Sequence, residues 1–132
     1  MARVRIVEPP QRLDRLEFSG EGEWRDHAVQ LGAYTCPHCG HHVGLRSADL
    51  RRHEPAPSAN LESLWRERFD VARPDARSAG ESHLDFHCPG CHAPVRLAYA
   101  PGPEYAMGAH PWRFTAVFEA ARWPDEAREG DR

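Results

Sequence analysis

The chain has no lysine. All 17 of its basic residues are arginine, set against 20 acidic ones for a formal charge of −3 over 132 residues. A net negative chain lacks the electrostatic footprint of a general nucleic-acid binder, whose affinity comes chiefly from cations placed on phosphates. No local basic stripe replaces it, because Arg46, Arg51 and Arg52 are nearly offset by Asp49 and Glu54. Long apolar runs are also missing. No stretch approaches the roughly 18 apolar residues of a membrane helix, and Arg3-Val4-Arg5-Ile6-Val7-Glu8-Pro9-Pro10 contains no signal-peptide core. These absences predict a cytoplasmic protein. The bias towards Arg, Ala, Pro and Gly is that of a GC-rich bacterial genome, so an arginine here is first a solubilising residue. The length suits one domain that buries about two-thirds of its unfolded surface.

What the sequence does hold is concentrated in its four cysteines. All of them fall in two short motifs, Cys36-Pro37-His38-Cys39-Gly40 and Cys88-Pro89-Gly90-Cys91, each preceded by an aromatic residue two places earlier, Tyr34 or Phe86. A C-x-x-C turn delivers two thiolates from one strand end, where backbone amides also donate to the sulfurs, and two such turns close a tetrahedral site. Pro37 and Pro89 preset φ for the turn, while Gly40 and Gly90 permit positive φ nearby. The pattern predicts one structural zinc ion on Cys36, Cys39, Cys88 and Cys91, although four sulfur ligands alone leave an iron-sulfur cluster open. Other uses fit less well. A thioredoxin-like redox pair needs a single C-x-x-C and leaves the second unexplained, and disulfides suit a secreted chain.

Strand periodicity surrounds both motifs. Residues 28–35 alternate into the first and 41–45 return as a hairpin partner; residues 83–87 alternate into the second, and 94–99 leave it with Val95, Leu97 and Tyr99 on one face. A further strand over 112–120 places large apolar residues at 112, 114 and 118. Between the motifs, Ser58 or Asn60 can cap an amphipathic helix of about three turns, with Leu61, Leu64, Trp65 and Phe69 as its stripe and Pro74 beyond its end. The fold class expected is mainly β, a small α+β zinc ribbon: an antiparallel sheet with one inserted helix. The expected organisation is a flanking segment over 1–27, a ribbon domain over 28–123 with the helical insertion at about 58–71, and a disordered acidic tail over 124–132.

Tyr34 to Gly40, the stretch from Leu61 to Phe69, Phe86 to Cys91 and the strand through Tyr99 towards Tyr105 resemble the CpXC-type family of small bacterial zinc-ribbon proteins, named for paired Cys-Pro-x-Cys motifs. The likeness covers about half of the chain, and His92 and the lengthened stretch from Arg73 to Ser82 depart from it. The resemblance implies a zinc ribbon and, the family having no assigned activity, nothing about function.

Four thiolates fill a tetrahedral ion and leave no position for water, which argues against zinc catalysis. Nine histidines raise the question again, since His41, His42, Asn60 and His83 loosely resemble the His-Asn-His order of ββα-metal nucleases. Their spacing is poor for that site. His38 and His92 occupy turn positions beside the metal and are read as solvent-facing or as donors to backbone, while His27, His53 and His110 carry no pattern. The sequence is therefore read as a non-enzymatic, zinc-stabilised protein-binding module, an adaptor, regulator or immunity-type partner of a larger protein. Trp65 and Trp112 are assigned to the core; Trp24, Trp123 and Tyr105 are the candidate surface anchors. The alternative is a nucleic-acid-binding ribbon using Arg46, Arg51 and Arg52. An edge position for the strand over 112–120 would also allow a homodimer.

Overall fold

A computed structural model describes residues 3–19, 30–46, 61–75, 80–101 and 111–125. Within them each cysteine motif joins the two strands of an antiparallel hairpin. Strands β3 (Gln30–Thr35) and β4 (His42–Arg46) carry the first motif and form a sheet of their own, with Thr35 opposite His42 and Tyr34 opposite Val43. Strands β5 (Ser82–His87) and β6 (Pro94–Pro101) carry the second, with His87 opposite Pro94 and Phe86 opposite Val95.

The second hairpin belongs to a larger sheet. Strand β7 (Pro111–Ala120) pairs with β6 on one side and on the other with both β1 (Val4–Val7) and β2 (Glu17–Ser19), giving the order β1-β7-β6-β5 with β2 also on β7. The protein is mainly β, as expected. The segment read as a flank supplies two strands of this sheet, joined by a 3₁₀ turn at Pro9–Gln11 that starts on a proline. Strand β7 is central rather than at an edge, so it offers no free side for pairing across a twofold axis.

The large sheet is covered on both faces, and the alternation of β6 shows how. Val95, Leu97 and Tyr99 point to one side, where they pack with Leu13, Tyr34, Leu45 and Leu84; Ala98 points to the other, with Leu61, Trp65 and Phe69. The first hairpin thus lies on one face and the helix α1 (Ser63–Ala72) on the other. Continuous burial from Pro94 through Tyr99 follows from this sandwiching. Trp65 and Phe69 fit because the sheet beneath them is lined by Ala98, Ala116 and Ala120.

Helix α1 begins later than the sequence predicts. Glu62 is its N-cap residue and makes no side-chain cap bond, while Ser58 and Asn60 lie outside the described residues. The buried stripe is Leu61, Trp65 and Phe69, with Leu64 half-buried. Strand β7 also departs from strict alternation. Its register shifts so that Phe114 pairs with Tyr99 but Ala116 with Ala98, leaving Thr115 as an extra residue. This bulge reverses the phase, and Phe118 joins the helix side while Phe114 faces the hairpin side.

Two buried ion clusters tie the layers together. Arg96 Nε and Nη2 donate to Asp85 at 2.7 and 2.9 Å and Nη1 donates to Asp70 of α1 at 2.6 Å. On the other face Glu119 accepts from Tyr34 at 2.5 Å, Arg12 at 2.8 Å and Arg5 at 3.2 Å. Asp85 and Glu119 are fully enclosed and would be costly without these donors, whereas Asp70 stays exposed.

Candidate metal centre

Each cysteine motif folds by the same two backbone bonds. Gly40 N–H donates to the Cys36 carbonyl and Cys36 N–H to the His41 carbonyl, both at 2.9 Å; His92 N–H donates to Cys88 at 2.7 Å and Cys88 N–H to Ala93 at 2.8 Å. The residues ahead of the motifs also meet, since the rings of Tyr34 and Phe86 pack edge to face with centroids 5.7 Å apart. That contact sets one hairpin end against the other. The four sulfurs then lie within 4.8 Å of one another, with Cys36 to Cys91 at 3.7 Å and Cys39 to Cys88 at 3.5 Å. Disulfides, at about 2.05 Å, are excluded. Thiolates bonded at about 2.3 Å to a tetrahedral ion stand roughly 3.8 Å apart, which these spacings match.

Burial and hydrogen bonding act on the sulfurs in opposite senses. Burial pushes the Cys36 thiol up from its ordinary value, and the backbone amides of His38 and Cys39 partly offset it. Cys39 is exposed and is lowered, chiefly by the amide of His41. Cys91 is raised, again by burial first, against the amide of Ala93. Amides that favour a thiolate in this way are what a metal-binding turn requires, because the ligand is the deprotonated sulfur.

Gly40 and Gly90 serve different ends. Gly40 has φ +77° with open space around its Cα, the left-handed turn that the sequence suggested. Gly90 is not in that region. A Cβ built on it would lie 2.8 Å from Cys39 Sγ and 3.1 Å from His41 Cβ, so this glycine admits the opposite motif. The positive φ of the second motif belongs instead to His92, at 66°.

The end of β7 and the residues after it fasten both motifs. Trp123 Nε1 donates to the Cys91 carbonyl at 2.7 Å, and His38 Nε2 lies 3.0 Å from the Ala120 carbonyl. His38 is therefore engaged with backbone and stands outside the sulfur cluster. Trp123 packs against both cores and against Trp65, which removes it as a free surface anchor. Trp65 is buried, and Trp112 packs on Tyr99 with centroids 5.6 Å apart. Trp24 and Tyr105 lie outside the described residues.

No family model, curated protein or solved structure matches this chain. The site rests on its own geometry: Cys36, Cys39, Cys88 and Cys91, all four named by the sequence, converge at metal-binding distance. Of the nuclease-like set, His41 follows the first motif, His42 is on β4 beside Thr35 and His83 is on β5 of the other sheet beside Asp85, while Asn60 lies outside the described residues. Sequence reasoning passed over a second group. Glu62, His87 and His92 bring their ligand atoms within 4.8 Å of one another. Aligning the two motifs gives the missing signal, a histidine where the first motif has Gly40.

Proposed function

We propose that the four cysteines hold one structural zinc ion, that the chain is a CpXC-type zinc ribbon, and that it acts as a non-enzymatic protein-binding module. The observation that carries this reading is the convergence of four thiols from two hairpins, at spacings that suit a closed tetrahedral shell. Such a shell has no position for substrate or water, so its use is to lock the small hairpin onto the large sheet. The negative overall charge favours a protein partner over nucleic acid. With β7 internal, the recognition surface in this reading is the outer side of α1, where Val71 is 77% exposed, rather than the C-terminal strand.

Elemental analysis of freshly purified protein is expected to give one zinc per chain, lost in Cys88→Ser. Iron, with visible thiolate-to-metal absorption, would overturn the choice of ion. For the function, a partner protein in stoichiometric amount should co-purify with the zinc-loaded chain from its native host and dissociate on Val71→Asp. Salt-dependent binding of single-stranded DNA or RNA, with no such partner, would overturn the module reading in favour of nucleic acid.

A further inference from the structure

His92 sits where its counterpart is glycine, and it holds a backbone conformation that glycine adopts freely and histidine does not. A side chain kept at such a position by the surrounding structure is a pointer to use. The His92 ring stacks on that of His87, centroids 4.0 Å apart and planes 8° from parallel. His87 is fixed in turn. Its Nδ1 lies 3.1 Å from the His92 carbonyl, and because a carbonyl only accepts, Nδ1 is the donor, which in the neutral ring leaves the lone pair on Nε2. An imidazole that donates one nitrogen to a backbone carbonyl and leaves the other unprotonated is arranged as metal-ligating histidines are.

The third member comes from across the chain. Glu62 is exposed and stands at the N-cap of α1, yet its carboxylate does not cap the helix. It lies with the two imidazoles instead, all three ligand atoms within 4.8 Å. Around an ion with bonds of about 2.05 Å, donors stand roughly 3.3 Å apart. The stacked rings hold their in-plane lone pairs side by side, so closing on one ion requires the exposed His92 to turn out of the stack and the exposed Glu62 to rotate towards His87. The positive end of α1 opposes a cation here, and the Glu62 carboxylate offsets it.

We propose that Glu62, His87 and His92 form a second metal site, separate from the four cysteines, which takes a borderline divalent transition ion such as Zn²⁺ or Ni²⁺. Two imidazoles and one carboxylate suit such ions, whereas Ca²⁺ and Mg²⁺ call for an all-oxygen shell. Three protein ligands leave positions open to water or to a donor from another molecule, unlike the closed sulfur site.

The test is calorimetric titration of the full-length, zinc-loaded chain with Ni²⁺, alongside a metal count for each variant. The wild type should take one further equivalent. His92→Gly should lose it, and is the informative variant because glycine suits this φ, so the fold and the zinc on the cysteines are retained. Glu62→Gln, at an exposed residue, should weaken binding by at least about tenfold. The absence of a further equivalent in the wild type overturns the proposal, as does unchanged binding in both variants. A chain that carries no metal on its cysteines but binds one ion lost in His92→Gly would overturn the zinc-ribbon reading and support this site.

Discussion

At the scale of single residues, the tightest constraint on the sulfur centre is Gly90. Gly90→Ala drives a methyl group into the space of Cys39 Sγ, and chelator competition should show metal held about tenfold or more less tightly. Gly40→Ala tests the contrast. Open space surrounds that residue, so the cost is the backbone conformation alone, about 1 kcal/mol in denaturant unfolding. Tyr34 is constrained from another side. Burial first, and then the Glu119 carboxylate, push its hydroxyl far above the ordinary tyrosine value, so it remains a donor. Tyr34→Phe removes a hydrogen bond to a buried charge and should cost about 1.5–3 kcal/mol, read from the same unfolding curves. The sequence singled out the four clustered cysteines because a C-x-x-C spacing is a local device. It could not give the reason for Gly90, which depends on an atom in the other motif, more than forty positions away.

At the scale of elements, alternation was legible only where a strand kept one phase. Strand β6 did, and Val95, Leu97 and Tyr99 share the face expected of them. Strand β7 did not, because the extra residue at Thr115 transfers Phe118 to the other face, and a bulge has no signature in a pattern of large and small residues. The start of α1 was misplaced for a related reason: Glu62 is a poor capping residue, while Ser58 and Asn60 are good ones. Between elements, Arg96 holds α1 to the sheet. Arg96→Met takes from buried Asp85 the guanidinium that both its oxygens accept from, leaving His83 at 3.7 Å, and should cost about 3–5 kcal/mol, whereas Asp85→Leu together with Arg96→Met should recover most of that loss. A double-mutant cycle in urea measures both values. Additive losses would mean that the pair is not coupled.

At the scale of the whole molecule, the four cysteines join two sheets of unequal independence. The large sheet has a core of its own under α1, while the hairpin of β3 and β4 packs Tyr34 and Leu45 on its other face and is held there by the sulfur centre, the Glu119 cluster and a bridge from Leu13 to Tyr34. Stripping the ion should therefore release the hairpin before the sheet. Hydrogen exchange after chelation is expected to show protection lost over residues 30–46 and 88–93 while β6 and β7 keep theirs. Uniform loss would show instead that the centre supports the entire fold. Which layer leans on which could not be foreseen from the sequence, since it follows from how β1 and β2 both find β7.

That central strand fixes an order of events in synthesis. Val4 to Val7 emerge from the ribosome long before the residues that flank them in the sheet, and the first pair of thiols waits for the second. Until residue 120 is outside the exit tunnel β1 and β2 have no neighbour to zip against, so the large sheet closes only after β7 has emerged.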